Sequence, residues 1–201
     1  MLRVALTGGI ATGKSYVLDQ LRQRGVACVD ADALVRGVQT AGTEATAAIA
    51  ARFGAGVLAA DGSVDRAKLA PMVFGDADAR RDLEAIVHPA VYRAISAALR
   101  GFERVGESIA VVDVPLLYET GAEKDFDRVI VTTCPVDMQI SRLIERGLTE
   151  EEARERLAAQ LPTERKIERA DFVIRTDGMF DETDRQVDTV LRALKQTRVR
   201  G

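Results

Sequence analysis

Five short apolar runs punctuate the chain, over residues 2–7, 26–30, 109–114, 128–133 and 171–175. They are rich in Val, Ile, Ala and Leu. Their apolar character is continuous rather than alternating, the pattern of strands buried on both faces. Stretches with helical spacing separate them. Alternating strand and helix predicts an α/β fold around a parallel sheet. Right-handed crossovers then place the loop after the first strand at the carboxyl edge of that sheet.

The spacing of the runs is uneven. One helix separates the first two, but a nearly strand-free stretch, about 34–106, separates the second from the third. It carries helix-like segments near 43–53, 66–74, 78–86 and 90–104, broken by turns at Ala55-Gly56 and Asp61-Gly62. It predicts a helical insertion on the substrate side. Pro89 suits the first turn of the 90–104 helix. A second excursion, 137–168, is charged and helical. Asp137 is placed to cap its first helix, Thr149 with Glu152 matches a capping box, and Pro162 stands where a new helix can begin. Near the end, Val187, Val190, Leu191 and Leu194 keep the three- and four-residue spacing of an amphipathic helix over about 181–196. The tail Arg198-Val199-Arg200-Gly201 reads as frayed. The core thus comprises 1–33, 107–136 and 169–201, with 34–106 and 137–168 inserted.

Composition narrows the partners. The net charge of -3 argues against a general nucleic-acid binder, while leaving room for basic pockets. No run of about 18 apolar residues occurs, so no membrane span is expected. The chain opens on a strand without a signal-peptide pattern, and its two cysteines, Cys28 and Cys134, form no spaced framework. A cytoplasmic protein, with a monomer favoured, is the expectation.

The chemistry starts at Gly8-Gly9-Ile10-Ala11-Thr12-Gly13-Lys14-Ser15, which matches G-x-x-x-x-G-K-[ST] between a strand and a helix. A loop wrapped round phosphates turns its amides inward, and glycine tolerates the backbone this needs. The following helix adds its unpaired donors and positive dipole end. Residues Gly9 to Tyr16 therefore form the expected nucleoside-triphosphate contact, with Lys14 at the β- and γ-phosphates and Ser15 on Mg²⁺. Asp30 and Asp32 follow the second strand. A carboxylate there can take the proton of an attacking hydroxyl, or cap the next helix; Asp32 is the first choice for base and Asp30 the second. Asp113 ends an apolar strand as a Walker B acid does, and either serves Mg²⁺ or bonds Ser15 or a helix end. Leu116, Leu117 and Glu119 follow at a strand end, suited to an acceptor pocket, although core is the commoner fate of leucine. His88, the only histidine, is a helix boundary or pocket residue. Arg142 and Arg146 share a helical face in the second excursion, where arginines can meet phosphate or simply face water.

These motifs in this order resemble the dephospho-CoA kinase family. The resemblance rests on Leu6-Thr7-Gly8-Gly9-Ile10 with Gly13-Lys14-Ser15, Asp30-Ala31-Asp32, Leu83 to Pro89, Val112 to Glu119, Gln139 to Leu143, Ala158-Ala159-Gln160 and Ala170 to Ile174. It implies a P-loop kinase core with a five-stranded parallel sheet, a helical CoA-binding domain and a helical lid. It implies transfer of the ATP γ-phosphate to the ribose 3′-hydroxyl of dephospho-CoA, the last step of CoA synthesis. By similarity Asp32 is the base, Arg142 a lid arginine at the phosphates, and His88 with 115–119 borders the acceptor. Ala11-Thr12 replaces the more usual Gly-Ser, and Thr176-Asp177-Gly178 replaces an Asn-x-Gly-like adenine turn. A nucleoside monophosphate or small-metabolite kinase on the same fold is the alternative. A GTPase switch needs an N-K-x-D base reader, and the chain has no Asn.

Overall fold

A computed structural model describes residues 1–197; the tail read as frayed lies outside them. Five strands, β1 (Leu2–Gly8), β2 (Ala27–Asp30), β3 (Ile109–Asp113), β4 (Arg128–Thr133) and β5 (Phe172–Arg175), form one sheet in the order β2-β3-β1-β4-β5. β1 runs parallel to both β3 and β4, and β4 parallel to β5. The helices are α1 (Lys14–Gln23), α2 (Ala31–Val38), α3 (Glu44–Phe53), α4 (Arg66–Phe74), α5 (Ala77–Arg104), α6 (Val136–Ile144), α7 (Glu150–Ala158), α8 (Thr163–Ile167) and α9 (Phe180–Thr197).

The sheet explains why its strands read as continuous apolar runs. Successive side chains of a strand point to opposite faces. Val4 and Leu6 of β1 join Val111, Ile130 and Ile174 under Val17, Leu18 and Leu21 of α1 and Val187, Val190, Leu191 and Leu194 of α9. Ala5, between them, joins Val129 and Val131 on the other face with Leu117, Tyr118 and Ala122. Both faces are therefore covered. With β1 in the middle, the chain leaves it for one side at β2 and reaches its other side at β4, so the loop after β1 opens at a topological switch point.

Two compact units divide the chain: Met1–Val29 with Phe102 onward, and Asp30–Gly101. The second unit is helical, α2 to α4 and most of α5, around Ile49, Phe53, Val57, Leu69, Ala79 and Val87. Thr43 and Asp65 cap α3 and α4 by accepting from backbone amides. Val57 lies in a 3₁₀ turn, and Leu58 bridges Val64. The excursion 137–168 supplies α6, α7 and α8 within the first unit.

Two local expectations are corrected. Pro89 does not open a helix: α5 runs unbroken for 28 residues with Pro89 inside it. An interior proline loses a hydrogen bond and crowds the carbonyl four residues back. Here Val87, Ala90, Ile95 and Leu99 are buried along one side of the helix, so packing holds it through the proline. His88 is then an exposed residue in mid-helix, not a boundary. Asp137 is not the cap of α6; Pro135 holds that position and Asp137 sits in the first turn, where a carboxylate favours the dipole. The capping box is complete: Thr149 accepts from the Glu152 amide and Glu152 from the Thr149 amide.

Candidate active site

The phosphate loop is the short link from β1 to α1. Gly13 caps α1 with φ +81° and offers no side chain to its first-turn amides, and that turn contains no acid. Those amides and the positive end of a ten-residue helix are left for an anion. Ala11 also takes a positive φ, +60°, which a non-glycine residue accepts only under outside constraint.

That constraint is visible on the loop's outer side. Turning the amides inward leaves carbonyls facing outward, and buried carbonyls need donors. Arg142 supplies one of its Nη1 hydrogens to the Ala11 carbonyl (3.0 Å) and an Nη2 hydrogen to the Thr176 carbonyl (2.7 Å). The Thr176 hydroxyl donates to the Thr12 carbonyl (2.9 Å), and the Thr12 hydroxyl to the Gly9 carbonyl (2.8 Å). From the far end of α7, the Gln160 side-chain oxygen accepts the Ile10 amide (2.8 Å). The resemblance puts Arg142 at the phosphates; the structure puts its guanidinium on two carbonyls, where it braces the loop. Tyr16, in the first turn of α1, faces α9: its hydroxyl donates to Asp184 (2.8 Å) and its ring packs on Phe180.

Gly8 shows why the first motif glycine is required. A Cβ there would stand 2.6 Å from the Thr132 backbone carbonyl of the neighbouring strand β4. Gly9 is pressed in the same way by the Thr163 hydroxyl and the Gln139 side chain.

Ser15 is exposed in the first turn of α1, and Lys14 is half-buried beside it. Asp113 is buried at the end of β3, in register with Leu6 of β1. Beyond it, Pro115 to Glu119 separates into different fates. Leu116 is 45% exposed, whereas Leu117 is wholly enclosed in the core beside Ala5 and Val131. The Tyr118 hydroxyl donates to the Arg169 carbonyl (3.0 Å), and the Arg169 guanidinium lies over the Tyr118 ring. Glu119 faces Lys166: Nζ donates to Oε1 at 2.7 Å. Burial pushes the Glu119 carboxyl upward, but the Lys166 ammonium and the Leu161 amide outweigh it and hold the group below its ordinary value.

In the helical unit, Asp30 caps α2 by accepting the Ala33 amide (2.9 Å). Asp32 stands in the first turn of that helix with an exposed carboxylate, and among the described residues none hydrogen-bonds it. Cys28 and Cys134 are unbridged. Burial pushes the Cys28 thiol up to about 11 and the Cys134 thiol upward as well, so neither is a ready nucleophile.

Gln160 and Lys166 carry no role legible in the sequence, and Thr176 is legible only as part of the turn expected on the adenine side. Gln160 lies within a motif shared with the family, but its contact with Ile10 joins residues 150 apart and leaves no local signal.

A family model described as dephospho-CoA kinase matches residues 2–182. A dephospho-CoA kinase of Anaeromyxobacter dehalogenans is 48% identical over 198 residues, covering 98% of this chain and 94% of that protein. One from Geobacillus kaustophilus is 44% identical over 192 residues, covering 95% and 96%. A solved structure from Thermus thermophilus, 31% identical, superposes with a TM-score of 0.80 over 96% of this chain and 97% of that one.

Proposed function

Because this chain belongs to the dephospho-CoA kinase family, we propose that it transfers the ATP γ-phosphate to the ribose 3′-hydroxyl of dephospho-CoA, with Asp32 as general base. The products are CoA and ADP, and the reaction is the last step of CoA synthesis. The acceptor oxygen bonds to the γ-phosphorus as the bond to the β–γ bridging oxygen breaks. The hydroxyl proton passes to the Asp32 carboxylate, and the electron pair of the broken bond stays on ADP.

The observation that carries the base assignment is the division of labour between Asp30 and Asp32. Capping α2 is done by Asp30. Asp32 is left with no structural bond, an exposed carboxylate two residues beyond β2.

On the donor side, the uncapped first turn of α1 receives the α- and β-phosphates and Lys14 reaches the β- and γ-oxygens. Arg142 and Thr176 hold the loop in shape from behind. Mg²⁺, when bound, neutralises charge on the phosphate oxygens. Ser15 and Asp113 would hold it. Both are hard oxygen donors, and one or two such donors beside phosphate and water are what Mg²⁺ accepts, so the set fits. The family resemblance implies acceptor contacts at His88, exposed in the Asp30–Gly101 unit, and at Leu116, exposed after β3 in the other unit. Leu117 and Glu119 are less available to an acceptor, since one is core and the other is committed to Lys166. No helix among the described residues is long and apolar enough to cross a membrane. We place the reaction in the cytoplasm, where the unbridged thiols are at home.

The test offers dephospho-CoA, AMP, CMP and shikimate to the enzyme with ATP·Mg²⁺. Turnover is expected on dephospho-CoA, and turnover confined to a nucleoside monophosphate would refute the assignment. Asp32→Asn is expected to lower kcat by about 10²–10⁴, the usual worth of a positioned base, while ATP binding stays near wild type. A wild-type kcat would remove Asp32 from that role.

A further inference from the structure

Residues 160–166 touch the phosphate loop and the segment after β3 at once. The Gln160 side-chain oxygen accepts the Ile10 amide at 2.8 Å. The Thr163 hydroxyl packs so close to Gly9 that a Cβ there would lie 2.7 Å from it. The next amide after Gln160, that of Leu161, donates to Glu119 Oε1 (3.1 Å), and Lys166 Nζ donates to the same carboxylate oxygen (2.7 Å). Lys166 is fully enclosed, and its ammonium lies 3.5 Å from the Pro115 carbonyl. That carbonyl also accepts the hydroxyl of Thr7 (3.3 Å), the residue before Gly8. The network therefore meets the loop at its strand end and at its turn.

We propose that Gln160 is a positioning residue for phosphoryl transfer: it fixes the Ile10 amide and so the first half of the phosphate loop, and the Glu119–Lys166 pair holds Gln160 in place. This rests on the kinase reading above. The amides of this loop cradle the phosphate chain and Lys14 reaches its β- and γ-oxygens, so the shape of residues 9–11 bears on where the transferred group is held. The Ile10 amide is already taken by Gln160 and sets loop shape instead of serving as a ligand. In-line transfer is sensitive to placement, and an error of about 1 Å costs about 10²-fold in rate. An amide side chain suits this position because it accepts a hydrogen bond without bringing a second negative charge toward ATP. A buried ion pair suits the anchor because its geometry is narrow: a fully enclosed ammonium tolerates few positions for its counter-ion.

Gln160→Met keeps the length and loses the acceptor; Gln160→Glu keeps the acceptor. Each is compared with wild type for kcat with dephospho-CoA, for ADP affinity and for Tm. For Gln160→Met the expectation is a kcat about tenfold lower with ADP affinity within about twofold of wild type, because ADP lacks the group that is misplaced. Gln160→Glu should keep kcat within about threefold of wild type, with a raised KM for ATP from charge repulsion. Three results would each overturn the proposal. One is a wild-type kcat in Gln160→Met. Another is a parallel fall of kcat, ADP affinity and Tm, which marks a merely structural residue. The third is a Gln160→Glu variant as slow as Gln160→Met. A wild-type enzyme inactive on dephospho-CoA but active on another acceptor would sink only the choice of dephospho-CoA as acceptor, and the same comparison then runs on that acceptor.

Discussion

Replacing Glu119 by Gln isolates the anchor of this network. Lys166 has no exposed side-chain surface, and its one ionic partner among the described residues is Glu119, whose side chain is 22% exposed. In Glu119→Gln an enclosed ammonium keeps only a neutral amide and the Pro115 carbonyl at 3.5 Å. Removing one partner of a buried pair costs about 3–5 kcal/mol. Water reaches the carboxylate side, so the loss belongs at the lower end, about 3 kcal/mol. In a chain of this size each kcal/mol moves Tm by about 2–4 °C, which gives a fall of roughly 6–12 °C. Urea and thermal unfolding of wild type, Glu119→Gln, Lys166→Met and the double variant complete a cycle. The double variant should recover at least about 1 kcal/mol relative to the sum of the singles, since it leaves no buried charge. A Tm for Glu119→Gln within about 2 °C of wild type, or a coupling energy near zero, would refute the reasoning.

Acid should expose the same pair. The folded Glu119 pKa is depressed, so its contribution is whole above its ordinary value near 4.5 and is lost as pH falls through the folded value. The Tm gap between wild type and Glu119→Gln should therefore narrow from about pH 6 to about pH 3, and a constant gap would count against it. Lys14→Ala should weaken ATP binding and lower kcat together, measured by nucleotide titration and initial rates; loss of only one would contradict its place at the β- and γ-phosphates. Gly8→Ala should destabilise by about 1–3 kcal/mol and abolish turnover, because the opposing atom is the Thr132 carbonyl of β4 and cannot swing aside; chemical denaturation and an ATPase-coupled assay check it.

Much of this protein is legible one segment at a time. The five strands lie within a residue or two of the apolar runs, because burial on both sheet faces demands unbroken apolar sequence. The phosphate loop is legible from its fixed motif spacing and from local demands such as the left-handed turn at Gly13, whereas the crowding that excludes a side chain at Gly8 comes from β4. The Thr149–Glu152 box and the stripe Val187-Val190-Leu191-Leu194 are local as well. Asp30 and Asp32 mark the limit: both types suit a cap, and only the direction in which the chain leaves β2 assigns the cap to Asp30 and leaves Asp32 open. Pro89 passed that limit, since the burial of Val87, Ala90, Ile95 and Leu99 overrides its preference for a helix start. The partners of Arg142, Gln160, Lys166 and Glu119 lie wholly beyond it, although the resemblance marks Arg142 and Glu119 as site candidates. Each acts on a residue that is distant in sequence, and hydrogen bonds between remote segments leave no periodicity to read. The strands, the phosphate loop and the chemistry of its donors follow from spacing along single segments and are legible without the fold. What grips the loop from behind is set by the packed fold, because it depends on which side chains the sheet and helices bring within about 3 Å of its outward carbonyls and its one diverted amide.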